Sequence, residues 1–247
     1  MTSKLKVSSN GRFLIQDVGK LFFYLGDTAW AIFRNCRRHD ADIYLQDRAQ
    51  KRFTVIQACV LFASTNEVNA YGEVALVNGD PDRPNEAFFK HVDYILGKAE
   101  ELGLTIALLP TWGRFVSIYA GKDRVIFNAA NAYRYGEFLG KRYRDKPIIW
   151  VLGGDVSPVG PPDSALDIWR AMAEGIRQGD KGEHLMTYHP NSQHSSGMWL
   201  HQESWLDFNM SQSGHHQRLD PLSYKIIETD FKRIPPKPCL DAEPCYE

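Results

Sequence analysis

The chain has no run of apolar residues long enough to cross a membrane, and Met1 to Asn10 lack the apolar stretch of a secretory signal. It also lacks an excess of either charge. With 29 basic and 30 acidic residues its formal net charge is −1, which excludes the basic footprint of a nucleic-acid-binding protein. Cysteine is scarce: Cys36, Cys59, Cys239 and Cys245 include no Cys-x-x-Cys pair. That argues against a disulfide framework and leaves four reduced, structural thiols. No His-x-x-x-His or His-x-His spacing sets two imidazoles on one face. Late in the chain no Gly-rich loop opens a helix that would cradle phosphate. These absences predict a cytoplasmic protein without metal or cofactor, bound to no membrane and no nucleic acid. Its partner is then a neutral or mildly charged small molecule; the oligomeric state is left open.

What is present is an alternation of short apolar runs with amphipathic stretches. Lys4 to Gln16 reads as a β-hairpin about Asn10-Gly11, a dipeptide suited to a tight turn, placed ahead of the main fold where it plugs one end. Strands follow at Leu21 to Leu25, Thr54 to Val60, Thr105 to Leu109, Ile148 to Leu152, His184 to His189, Leu206 to Gln212 and Pro238 to Ala242. Helices are predicted over Asp40 to Lys51, from the cap Asn85 to Glu101, and over Ala129 to Tyr143. Two more are predicted over Ser164 to Gln178, with Asp163 or Ser164 as cap, and over Pro221 to Phe231. The long polar stretch from Ser64 to Asn85 is a loop of the length that tends to be functional.

Alternating strands and helices at this spacing predict an α/β fold with a parallel sheet, and 247 residues suit one (β/α)8 TIM-type barrel. Seven strands of the eight are present, so the expectation is a single barrel domain over residues 1–247 that lacks the last βα units.

In such a barrel the C-terminal ends of the strands build the active site. Two ends carry carboxylates: Ile148 to Gly154 runs into Asp155, and Pro238 to Ala242 runs into Glu243. Two carboxylates on different strands are what glycosidic hydrolysis needs. Asp155 could instead cap the next helix, but Gly153-Gly154 before it lets backbone approach a ligand closely. Glu243 faces a competitor in Glu247. The other strand ends add Asp27, Trp30, Asn69, Trp112, His189, Gln212 and His215. Amides, imidazoles and carboxylates suit sugar hydroxyls, and indoles suit the C–H faces of the rings. Asp27 could equally orient a loop, the histidines could be structural, and Trp150, inside a strand, reads as core.

The segments Gly26-Asp27-Thr28-Ala29-Trp30, Val151-Leu152-Gly153-Gly154-Asp155, Thr187-Tyr188-His189-Pro190 and Glu243-Pro244-Cys245-Tyr246-Glu247 together resemble the apiosidase-like glycoside hydrolases, related to glycoside hydrolase family 140. The resemblance implies a (β/α)8 barrel and an activity that releases apiose from the pectin rhamnogalacturonan II. It matches Asp155 to the acid/base and Glu243 to the nucleophile. The expected function is a retaining glycosidase acting on a plant-type carbohydrate. Two rivals stay open: a carbohydrate-binding barrel without catalysis, and a metal-dependent hydrolase built on His189, His215 and Asp155.

Overall fold

A computed structural model describes residues 4–117, 125–160, 165–214 and 222–244. Leu5–Val7 (β1) and Leu14–Gln16 (β2) pair antiparallel in the expected hairpin, with Leu5 opposite Gln16. Gly26–Thr28 (β3) then starts a parallel sheet continued by Val55–Leu61 (β4), Thr105–Thr111 (β5), Ile148–Gly153 (β6) and Met186–His189 (β7), in that order. His194–Ser195 (β8) is a short antiparallel strand against Asn209–Gln212 (β9), and β9 pairs parallel with Cys239–Asp241 (β10). Asp207 N–H donates to Met186 O (2.8 Å) and Thr187 Oγ1 to Phe208 O (2.7 Å), which joins the entry to β9 onto β7. The described residues thus supply strands one to seven of a (β/α)8 barrel. Across its interior Gln57 Nε2 on β4 reaches Ala242 O at 2.7 Å, just past β10.

The helices are Ile32–Asn35 (α1), Arg38–Gln50 (α2), Glu86–Glu101 (α3), Ala129–Tyr143 (α4), Ala165–Asp180 (α5), Gly197–Leu200 (α6) and Leu222–Phe231 (α7). Asn85 caps α3 by accepting from Ala87 N–H, as its position foretold. Asn128 and Asn131 cap α4 reciprocally. The proposed caps Asp163 and Ser164, and Pro221 ahead of α7, lie outside the described residues.

Strand alternation divides the core. Ile149 and Val151 of β6 point into the barrel with Cys59, Leu109, Phe208 and Met210, while Ile148, Trp150 and Leu152 face the helices. Trp150 is fully buried, as expected of a core residue. Leu14 of the hairpin packs into the inner cluster, with Leu5 and Val7 against it.

The first barrel strand departs from expectation. The run from Leu21 to Leu25 leaves Leu21 and Phe23 exposed, and regular pairing begins only at Gly26, opposite Val55. Apolarity marked this run as a strand, but the register with β4 selects the residues after it. Leu14, Leu21, Phe22, Phe23, Tyr24 and Leu240 line a groove of about 370 Å³ between this segment and β10.

Candidate active site

Asp155 is placed by an unusual turn. Gly153, Gly154 and Asp155 have φ of 91°, 110° and 57°, all in the left-handed region. Gly154 N–H donates to His189 O at 3.0 Å, and Gly154 O accepts from Gly113 N–H at 3.1 Å, so the turn is fastened to β7 and to the loop after β5. A Cβ on Gly154 would lie 2.8 Å from the Trp112 ring. The glycines therefore let the backbone nest against Trp112 and β7. The closeness foreseen for a ligand is, in the fold, closeness to the protein's own aromatic wall.

Glu243 follows β10, and its carboxylate turns inward, 4% exposed. Gln212, at the end of β9, donates from Nε2 to Glu243 Oε2 at 2.9 Å. His189, at the end of β7 and fully buried, brings Nε2 to 2.8 Å from the same oxygen. That approach lies off the line of a hydrogen bond, and His189 Nδ1 has no hydrogen-bond partner among the described residues. One donor atom each from Asp155, His189 and Glu243 lies within 4.8 Å of the other two. Strands β6, β7 and β10 thus bring together three of the expected site residues.

Trp30 and Trp112 wall this cluster. Their rings meet edge to face at 5.0 Å, and Trp30 meets His189 in the same way at 5.3 Å. Phe62, which sequence reasoning missed, supports Trp112 at 5.0 Å. Trp112, Arg114, Gly154, Asp155 and Val156 line a cavity of about 140 Å³. Roomier cavities lie toward the N-terminal ends of the strands; the candidate site is taken here because the C-terminal ends of three strands bring Asp155, His189 and Glu243 together. Arg114 at this mouth was likewise unforeseen, since nothing in the sequence separates it from other loop arginines.

Asp27 and Asn69 are engaged by the protein's own groups. Asp27 Oδ2 accepts from Tyr44 O–H at 2.9 Å and pairs with Arg48, both on α2, while Oδ1 caps Thr28 N–H. Burial and the Asp27 carboxylate push the Tyr44 phenol well up, keeping it a donor. Asn69 is buried, with Oδ1 accepting from Tyr71 and Glu73 N–H, and it organises the turn from 69 to 73. His215 and Glu247 lie outside the described residues, as do His216 and Cys245. His215, one member of the metal alternative, therefore cannot be placed beside His189 and Asp155; among the described residues the group with metal-ligand spacing is Asp155, His189 and Glu243.

No helix among the described residues is long and apolar enough to cross a membrane. No curated protein matches the chain. A solved structure described as a glycoside hydrolase shares 34% identity at a TM-score of 0.87, over 100% of this chain and 57% of its own. A glycoside hydrolase family 5 structure from Bacteroides vulgatus shares 34% at a TM-score of 0.87, over 99% of this chain and 54% of its own. The chain thus spans a little over half the length of these two structures. A glycoside hydrolase family 5 mannosidase from Rhizomucor miehei, solved with mannosyl-fructose, is similar in fold alone. It is 13% identical at a TM-score of 0.61, over 86% of this chain and 62% of its own. The family described as the apiosidase-like catalytic domain matches residues 8–247, and with that match over nearly its whole length the chain belongs to the apiosidase-like family.

Proposed function

We propose that this domain hydrolyses a glycosidic bond of a plant-type oligosaccharide or polysaccharide side chain with retention of configuration. One observation carries the reading: donor atoms of Asp155 and Glu243 stand within 4.8 Å of each other. Double displacement needs carboxyl groups roughly 5–5.5 Å apart, whereas inversion needs roughly 6.5–9.5 Å to admit a water. The spacing favours the first.

Glu243 attacks the anomeric carbon and forms a glycosyl-enzyme as Asp155 gives its proton to the leaving oxygen. Asp155 then takes a proton from water, which cleaves the glycosyl ester and regenerates Glu243. Gln212 Nε2 orients the nucleophile, and Gln212 Oε1, buried without a partner among the described residues, is an acceptor for a sugar hydroxyl. Trp30 and Trp112 give the sugar an apolar wall. Asp27, Asn69, His215 and Glu247 remain proposed substrate contacts, with Asp27 and Asn69 needing to release or share their present partners. The family points to apiose-bearing pectin fragments as the first substrates to try.

A panel of plant cell-wall oligosaccharides tests this. Sugar release that is lost in Glu243→Gln supports the reading; a folded protein that releases nothing from any of them counts against it. Asp155→Asn should cost much more rate on natural substrates than on glycosides with activated leaving groups. Equal losses would remove Asp155 from the acid role.

A further inference from the structure

We propose that Asp155, His189 and Glu243 bind one divalent ion of the zinc type, and that an ion seated there blocks the site. The blocking half rests on the reading of Asp155 and Glu243 as the reacting pair; the binding half does not.

Geometry comes first. The three donor atoms lie within 4.8 Å of one another. Ligands about 2.0–2.2 Å from a tetrahedral zinc stand roughly 3.3–3.6 Å apart. About an ångström of side-chain movement closes the difference, with His189 Nε2 and Glu243 Oε2, now 2.8 Å apart, opening by about half an ångström.

The second observation is the state of His189. Its ring is fully buried, and neither nitrogen has an aligned hydrogen bond among the described residues, although Nε2 is directed at the cluster. Leaving such a group unsatisfied is costly. A cation accepting the imidazole lone pair, with two carboxylates to balance its charge, satisfies that nitrogen.

The donor set decides the class of ion. One imidazole with two carboxylates suits zinc, manganese, cobalt or nickel, whereas magnesium and calcium favour oxygen-only sites. The cavity of about 140 Å³ that Asp155 lines with Trp112 has room for a water beside that carboxylate. An ion so held occupies the lone pairs of Glu243 needed for attack and the oxygen of Asp155 that carries the proton. Metal and catalysis then exclude each other.

Calorimetric titration of Zn²⁺ into the whole chain, with Mg²⁺ as control, tests binding without reference to activity. The expected result is one zinc per chain, no comparable heat with magnesium, and affinity weakened by about tenfold or more in Glu243→Gln and in Asp155→Asn. These two variants keep side-chain shape, so they decide the matter even if His189→Ala, at a fully buried position, fails to fold. Zinc bound as tightly by both variants as by the parent, or not bound by the parent, overturns the site. On any glycan the protein cleaves, zinc should inhibit in competition with substrate and a chelator should restore the rate. Turnover indifferent to zinc that calorimetry places at the trio overturns the blocking half. If no glycan is cleaved, the function proposed above fails separately, and the titration still decides the site.

Discussion

Two carboxylate and imidazole clusters lie at opposite ends of the barrel strands. At the N-terminal end, Asp180 Oδ2 accepts from Trp150 Nε1 at 2.9 Å and faces His184 Nδ1 at 3.1 Å, Oδ1 accepts from Gly182 N–H at 2.8 Å, and His184 Nε2 meets Lys146 O at 2.8 Å. Both ring nitrogens and both oxygens have partners. At the C-terminal end, His189 has no aligned partner among the described residues although it is fully buried. The first cluster ties α5 to β6 and is scaffold. The second leaves hydrogen-bonding capacity open in a place where water is scarce, which is where a ligand has most to offer.

The largest expected effect separates the two. Glu243→Gln should lower turnover by about a thousandfold or more with little change in thermal stability, read by product release and by melting. Asp180→Ala should do the reverse. It strands Trp150 Nε1 and His184 and should cost about 3 kcal/mol in denaturant unfolding, with unchanged turnover per folded molecule. If Asp180→Ala halted catalysis in a folded protein, the division into scaffold and site would be wrong.

Gly154→Ala sharpens the comparison at the turn that aims Asp155. The added Cβ would sit 2.8 Å from Trp112 at a φ of 110°, a strain of about 1–3 kcal/mol. Both melting temperature and turnover should fall, because the turn and the catalytic geometry are one structure.

The smallest effect concerns pH. Asp207 has its carboxyl raised above the ordinary range by burial, against the lowering pull of Arg177 and Met186 N–H. With the folded pKa above the unfolded one, the folded state holds the proton more tightly. The stability penalty is therefore complete above the folded pKa and is relieved as pH falls through it toward the unfolded value near about 3.9. Asp207→Asn should abolish that gain, so the stability gap between parent and variant should change across this acid window and stay level above it.

The parts of the fold legible in the sequence were those with local causes. Apolar runs ending at Asp155 and Glu243 marked strand ends, and Asn85 marked a helix start through its own side chain. The first strand was misplaced because Leu21 to Leu25 is apolar for another reason, lining the groove beside β10, and only pairing with Val55 fixes where β3 begins. The ties of Asp27 to Tyr44 and Arg48, and the convergence of Gln212 and His189 on Glu243, join distant segments and leave no local trace.

The most direct test of the proposed retaining pair is the anomeric configuration of the sugar first released, followed by proton NMR before mutarotation. Retention is predicted from carboxylate atoms within 4.8 Å. Inversion would contradict the double displacement and the role of Glu243 as nucleophile.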